Sequence, residues 1–449
     1  MAQLIFPKDF IWGAATASYQ IEGGATADGK GESIWDRFSH IPGKIMNGDT
    51  GDVACDHYHL YRQDIQLMKE LGLQSYRFSI SWPRVFPSGR GPVNQQGLDF
   101  YNRLVDELLR NGIEPMVTLY HWDLPQALQE NGGWANRSIV DDFAAYAACL
   151  FDALGDRVKK WITHNEPWVV AFAGNFQGRH APGLTDLATA VQVSHHLILS
   201  HARAVQAYRA SKYHDGQIGI TLNLYPCVPA SDSDLDRQAA ALVDGHNNRW
   251  FLDPVLKGTY PQDILDLYRE KLNAPLIQPG DMEQIAAAPM DFLGVNYYFR
   301  KVVRYAAVHP VLPFEEVKPE GSKYTQMNWE ITPQGLTDLL IRLDRDYNHP
   351  HIFITENGSA FPDAFEGGEV VADPDRREFL EGHFAAAHRA LAVGVQLDGY
   401  YVWSLMDNFE WAHGYSKRFG LIYIDYPTQR RIWKQSALWY REVIKNNGF

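Results

Sequence analysis

The chain has 449 residues, 45% hydrophobic and 21% charged, with 54 acidic against 41 basic side chains and a formal net charge of −13. That balance excludes nucleic acid as a partner, because binding a phosphate backbone needs a basic footprint, and it disfavours docking on anionic lipid. The composition is that of a globular chain, neither disordered, collagenous nor coiled-coil, and no window approaches the run of about 18 apolar residues that a membrane span needs.

The first residues, Met-Ala-Gln-Leu-Ile-Phe-Pro-Lys-Asp, carry no basic start followed by an apolar stretch, so no secretory signal is read and the cytoplasm is the expected address. Eight short apolar runs ending in polar or aromatic residues then recur along the chain, at 10–16, 75–80, 114–120, 160–163, 217–222, 292–296, 351–355 and 399–403. Helical patterns lie between most of them, at 58–71, 97–111, 139–154, 188–211 and 376–393. Strand–helix alternation of this kind predicts a parallel sheet with helices outside. Eight repeats with no Gly-rich phosphate loop after the first strand favour a closed (β/α)8 TIM barrel over a doubly wound sheet. No linker divides the chain, so residues 1–449 read as a single barrel domain. Two long insertions interrupt the rhythm, at 22–56 and 305–332. The second, rich in Pro, Gly and charge, lies between the sixth and seventh strands and is expected to rise over the barrel mouth.

Chemistry in such a barrel belongs at the C-terminal ends of the strands. Two carboxylates fall there. Glu166 sits in Trp161-Ile-Thr-His-Asn-Glu-Pro167 and Glu356 in Ile352-Phe-Ile-Thr-Glu-Asn-Gly358, each behind a strand-like run and ahead of turn residues. Such a pair can bracket a bond, one giving a proton to a leaving oxygen while the other attacks the carbon it leaves. Around them the strand ends carry amides (Gln20, Asn165, Asn223, Asn296), Arg77, His121 next to Trp122, Tyr298, and then Trp403, Glu410 and Trp411. Amides and acids hydrogen-bond hydroxyls, and indole faces accept the C–H faces of a sugar ring, so the set suits a neutral, hydroxyl-rich ligand.

Bland readings compete with each of these. A lone Glu is usually a surface acid, Thr-Glu-Asn-Gly is also a strand-ending turn with Asn357 and Gly358 at positive φ, and His121 is also readable as a core histidine. Trp168 and Trp329 compete with simple packing, and Trp439 is assigned to the core. His195, His196 and His201 lack the spacing of a His-Glu-x-x-His metal motif, and no nucleophile elbow, Walker loop or dinucleotide fingerprint is present. Cys55, Cys149 and Cys227 are widely spaced and form no C-x-x-C pair. No metal or cofactor is called for.

Seven motifs in order resemble the family 1 glycoside hydrolases, the retaining β-glucosidase group, over essentially the whole chain: residues 10–23, 76–84, 119–125, 163–168, 296–298, 354–358 and 403–411. The resemblance implies Glu166 as acid/base and Glu356 as nucleophile. It implies Gln20, His121, Asn165 and Glu410 on the sugar hydroxyls, and Trp403 and Trp411 as walls of the glycone. Arg77, Asn296 and Tyr298 would support the nucleophile, while Asn223, Trp168 and Trp329 would lie toward the leaving group. The substrates implied are small β-glycosides: cello-oligosaccharides and aryl β-glucosides, with side activity on β-galactosides or β-fucosides. A homo-oligomer is compatible with the sequence. A retaining pair stands about 5–5.5 Å apart, where two like charges cannot both form cheaply, so Arg77 beside Glu356 should leave the proton on Glu166.

Two rivals remain. A 6-phospho-β-glycosidase on the same scaffold carries a Ser, Lys, Tyr set after the eighth strand, where this chain has Glu410, Lys417 and Phe419; a carboxylate there repels phosphate. A non-catalytic glycan-binding protein would lack one or both acids, and the similar thioglucosidases replace the acid with Gln. Val169, Val170 and Ala173 after Trp168 depart from the commoner family pattern and are expected to widen the leaving-group side.

Overall fold

The computed structural model describes residues 3–365 and 367–449. Among them, eight parallel strands close into a barrel: β1 (Ile11–Ala15), β2 (Ser75–Ser79), β3 (Glu114–Tyr120), β4 (Lys160–Asn165), β5 (Gln217–Asn223), β6 (Phe292–Asn296), β7 (Ile352–Asn357) and β8 (Leu397–Trp403). Each pairs with its neighbour in sequence, and β1 seals the cylinder against β8 with Ile11 opposite Gly399. The expected (β/α)8 barrel is therefore present, with strand ends moved by at most two residues. Met116, Ile162, Phe292, Phe353 and Tyr401 fill the lumen, one each from β3, β4, β6, β7 and β8.

The helices bury one stripe each. In α1 (His57–Leu71) the buried Tyr58, Tyr61, Ile65, Met68 and Leu71 follow the 3.6-residue period, and Gly72 closes the helix at φ 81°. In α2 (Gln95–Arg110) Leu98, Tyr101, Leu104, Val105 and Leu108 do the same. α3 (Ile139–Leu154) and α4 (Leu187–Ala210) pack together outside β3 to β5. α5 (Pro333–Asp346), α6 (Pro374–Ala392) and α7 (Gln435–Asn446) cover the other side. Trp439, half-buried, stacks on Phe384 at 5.6 Å and so packs against the core as expected. No helix of the described residues is long and apolar enough to cross a membrane.

Two irregularities in the ladders matter for the site. Between β4 and β5 the register passes from Ile162↔Gly219 to Asn165↔Thr221, one residue longer on β4. Thr163 and His164 consequently both face outward, to His201 (2.8 Å) and Ser200 (2.8 Å) of α4. Asn165 then returns to the lumen side. Between β7 and β6 the register passes from Ile354↔Val295 to Glu356↔Asn296, again one residue longer on the acid-bearing strand. Such bulges re-aim side chains at barrel rims.

Insertions build the mouth. Within residues 305–332, Phe314–Glu316 pairs with the preceding Lys301–Tyr305 as a hairpin, with Cys227–Pro229 on its other edge. The strands are short and rich in exposed charge, so they leave no apolar alternation to read. In the 22–56 insertion, the helix Ile34–Ser39 starts from a reciprocal cap: Ser33 Oγ accepts from the Asp36 amide (3.0 Å) and Asp36 Oδ2 from the Ser33 amide (2.7 Å). Its Trp35 packs on Trp411, ring centroids 4.4 Å apart.

The long loop after β8 is anchored by buried charges. Lys434 Nζ donates to Asp407 Oδ1 and to Asp363 Oδ2, both at 2.6 Å, while Arg418 Nη1 meets Asp407 Oδ2 at 2.6 Å. Lys434→Met would leave two carboxylates short of a buried cation. We expect it to cost about 3 kcal/mol, read as a lower midpoint of denaturant unfolding; a midpoint unchanged from the parent would contradict this account.

Candidate active site

A cavity of about 550 Å3 opens at the C-terminal end of the barrel. Its floor is organised by Arg77, which β2 carries with no exposed surface. Nη1 donates to Glu356 Oε1 at 2.6 Å and to the Thr355 carbonyl at 3.0 Å; Nη2 donates to Asn165 Oδ1 at 2.6 Å. Tyr298 Oη donates to the other Glu356 oxygen at 2.6 Å. From β6, Asn296 Nδ2 donates to Glu166 Oε1 (2.6 Å) and Asn165 Oδ1 (3.1 Å), and its own Oδ1 accepts from Thr355 Oγ1 (2.8 Å). Bonds through Asn296, Asn165 and Arg77 thus connect the two acids that lie far apart in sequence.

Local backbone explains how each acid is aimed. Glu166 leaves β4 at φ +49°, a left-handed conformation that β-strands do not adopt, and Pro167 opens the helical segment that follows. Trp122, at φ +79°, donates its Nε1–H to the Asn165 carbonyl at 2.8 Å. At β7 the turn reading of Asn357 and Gly358 is corrected: neither takes a positive φ. Gly358 is there for close approach, since a Cβ would lie 1.6 Å from the Trp403 carbonyl oxygen.

The two carboxyls are treated unequally. Burial raises both, and it is opposed at Glu356 by the Arg77 charge first, then by hydrogen bonds from Tyr298, Arg77 and Asn296. Glu166 is pushed up to about 8, by burial and then by the charge of Glu356, against the weaker pull of Asn296 and Arg77. The proton therefore resides on Glu166 and the charge on Glu356. Glu410 is also raised to about 8, by burial and the Glu356 charge, with Gln20 opposing. Tyr298 stays protonated, its phenol held far above its ordinary value by burial and the neighbouring acids. His121 is held neutral by burial and by Arg77. Asn165 Nδ2 donates to His121 Nε2 at 3.1 Å, which places the ring proton on Nδ1; that atom, like Gln20 Oε1, is buried without a partner among the described residues. These are the groups a ring of hydroxyls would satisfy.

The predicted residues assemble here. Glu166, Glu356, His121 and Asn296 line the cavity, as do Tyr298, Trp403, Glu410 and Trp411. Phe419, Asn223, Trp329 and Trp168 line it too. Gln20, Arg77 and Asn165 do not line it but are hydrogen-bonded to residues that do; Gln20 Nε2 reaches the Phe409 carbonyl at 2.7 Å and Glu410 Oε2 at 3.4 Å, which leaves its Oε1 open. Of the three residues expected to widen the leaving-group side, only Val169 reaches the cavity; Val170 and Ala173 are buried behind it. Lys417 does not line it, and donates instead to the Gln326 carbonyl at 3.1 Å. Sequence reading gave no role to Trp122, whose adjacency to His121 was the available signal. It also missed Arg179, Tyr225 and Phe299, which lie in loops, and Lys301 and Glu316, which lie on the short hairpin strands of the mouth; none of them is on a barrel strand.

The model of the Glycosyl hydrolase family 1 matches residues 2–449. Beta-glucosidase A of Acetivibrio thermocellus is 53% identical over 451 residues, covering 100% of both chains. A bifunctional beta-D-glucosidase/beta-D-fucosidase of Bifidobacterium breve is 43% identical, covering 99% of each. Among solved structures, the family 1 β-glucosidase from Thermotoga maritima superposes with a TM-score of 0.96 at 50% identity over 100% of both chains. The barrel, the seven motifs and the full-length match together establish that this chain belongs to glycosyl hydrolase family 1.

Proposed function

We propose that the chain is a retaining β-glucosidase that removes terminal non-reducing β-D-glucosyl residues from cello-oligosaccharides and aryl β-glucosides, with side activity on β-galactosides or β-fucosides. The observation that carries the reading is the division of labour between two buried acids in one cavity. Glu356, held charged by Arg77 and Tyr298, attacks the anomeric carbon; Glu166, holding its proton near neutral pH, gives it to the departing oxygen. Bond formation removes the charge on Glu356, and with it one of the causes that keep Glu166 protonated. Glu166 then takes a proton from water, which releases the sugar and restores both groups. Gln20, His121 and Glu410 hold hydroxyls while Trp403 and Trp411 wall the ring. The carboxylate pair runs both displacements with no cofactor. The fucosidase named among the relatives supports the wider glycone range.

A 6-phospho-glycosidase reading is disfavoured by Glu410 in the cavity and by Lys417 turned away to a carbonyl. The presence of both acids argues against a purely glycan-binding protein. Purified protein should release p-nitrophenol from p-nitrophenyl β-glucoside; rapid cleavage of the 6-phosphate alone would overturn the assignment.

Glu356→Gly should abolish hydrolysis. Glu166→Ala should slow cellobiose by roughly 10²- to 10⁴-fold, the size of a general-acid contribution, and slow a dinitrophenyl glucoside far less in its first step. Equal losses on both substrates would contradict the acid role. Because Glu166 must carry a proton, kcat/KM should fall as pH rises through about 8. Tyr298→Phe removes a donor that favours charged Glu356, so the acidic limb of the same profile should move to higher pH; an unmoved limb would remove Tyr298 from that role.

A further inference from the structure

The outer part of the cavity is electrostatically unlike the rest of the molecule. The chain as a whole is strongly acidic, yet Arg179 stands exposed on the cavity wall with no carboxylate partner among the described residues. Its Nε donates to Gln177 Oε1 at 2.7 Å and its Nη1 to His180 Nε2 at 3.3 Å. The other cation of this region, Lys301, is already neutralised by Glu316 at 2.6 Å and lies over the Tyr225 ring at 4.8 Å. His180 and His413, also on the wall, are held in the neutral form chiefly by burial. Neither compensates the guanidinium nor adds to it.

Different loops contribute an aromatic surface to the same cavity. Tyr225 stacks on Phe299 with centroids 5.4 Å apart, and Phe299 stacks on Trp329 at 5.4 Å. This surface accepts a flat ring, and the free guanidinium supplies an anion contact that a neutral glucose unit does not use.

We propose that the outer cavity is a subsite for aromatic leaving groups bearing a carboxylate, with Arg179 as the residue that selects the charge. The inference rests on the β-glucosidase reading for its substrates. Its electrostatic content is separate and can be measured without bond cleavage.

The test compares the β-glucoside of 3-(4-hydroxyphenyl)propionic acid with that of its amide. Two methylenes insulate the phenol from the charge, so the leaving groups are matched. The acid should be preferred by roughly three- to fivefold in kcat/KM at low salt, the size of a solvent-exposed ion pair, mainly through KM. The preference should shrink toward one in about 0.5 M NaCl, where screening is strong. Arg179→Gln should bring the ratio to about one, Arg179→Glu should invert it, and Arg179→Lys should keep part of it. Quenching of tryptophan fluorescence by the free acid and the free amide, read on the same proteins, should follow the same order whether or not the glucosides are cleaved. A parent ratio of one, or a preference that survives Arg179→Gln, would overturn the proposal. Loss of cleavage with the binding preference intact would instead count against the hydrolase reading.

Discussion

A single guanidinium in a nearly dry place sets the terms for the rest of the site. Stripping Arg77 of water costs several kcal/mol, and only a full set of acceptors makes its position tenable. That set is supplied from β3, β4 and β7 by Thr118, Asn165, Thr355 and Glu356. One cation therefore cross-links four strands of the barrel. It also chooses which acid is charged. Four carboxyls (Glu166, Glu316, Glu356, Glu410) line the cavity, and Arg77 makes an ion pair with only one of them.

The barrel's regular geometry by itself would misdirect these groups. Strand side chains alternate, so a strict ladder would turn Glu356 outward if Thr355 faced in. The extra residue in β7 lets both face the lumen, and the extra residue in β4 sends Thr163 and His164 together to α4 so that Asn165 comes back inside. Asn296, on the strand between β5 and β7, then faces Glu166 and Asn165 at bonding distance. Tertiary partners on α4 and β6 hold these departures in place.

The sequence made the strands legible because buried parallel strands read as short apolar runs, and it made the acids legible because they end two of those runs. The bulges left no mark in composition, since an inserted residue such as His164 looks like any other polar residue. The positive φ of Glu166 and the close packing of Gly358 on Trp403 follow from contacts across the barrel, which a one-dimensional pattern does not contain. The hairpin of the 305–332 insertion was hidden by its charge, and Arg179 by its place in a loop with no periodicity. The anchoring of Lys434 between Asp363 and Asp407 joins segments too far apart in sequence to suggest one another.

Trp122, Glu166 and Trp411 all occupy backbone conformations in which glycine would sit at ease. Each forgoes on the order of 1 kcal/mol of conformational comfort to present its side chain to one chamber. A selection for heat resistance alone would drift toward small, flexible residues at these three points and would discard the working groups as it did so. The rim of this barrel is therefore a place where durability and turnover draw on opposite substitutions.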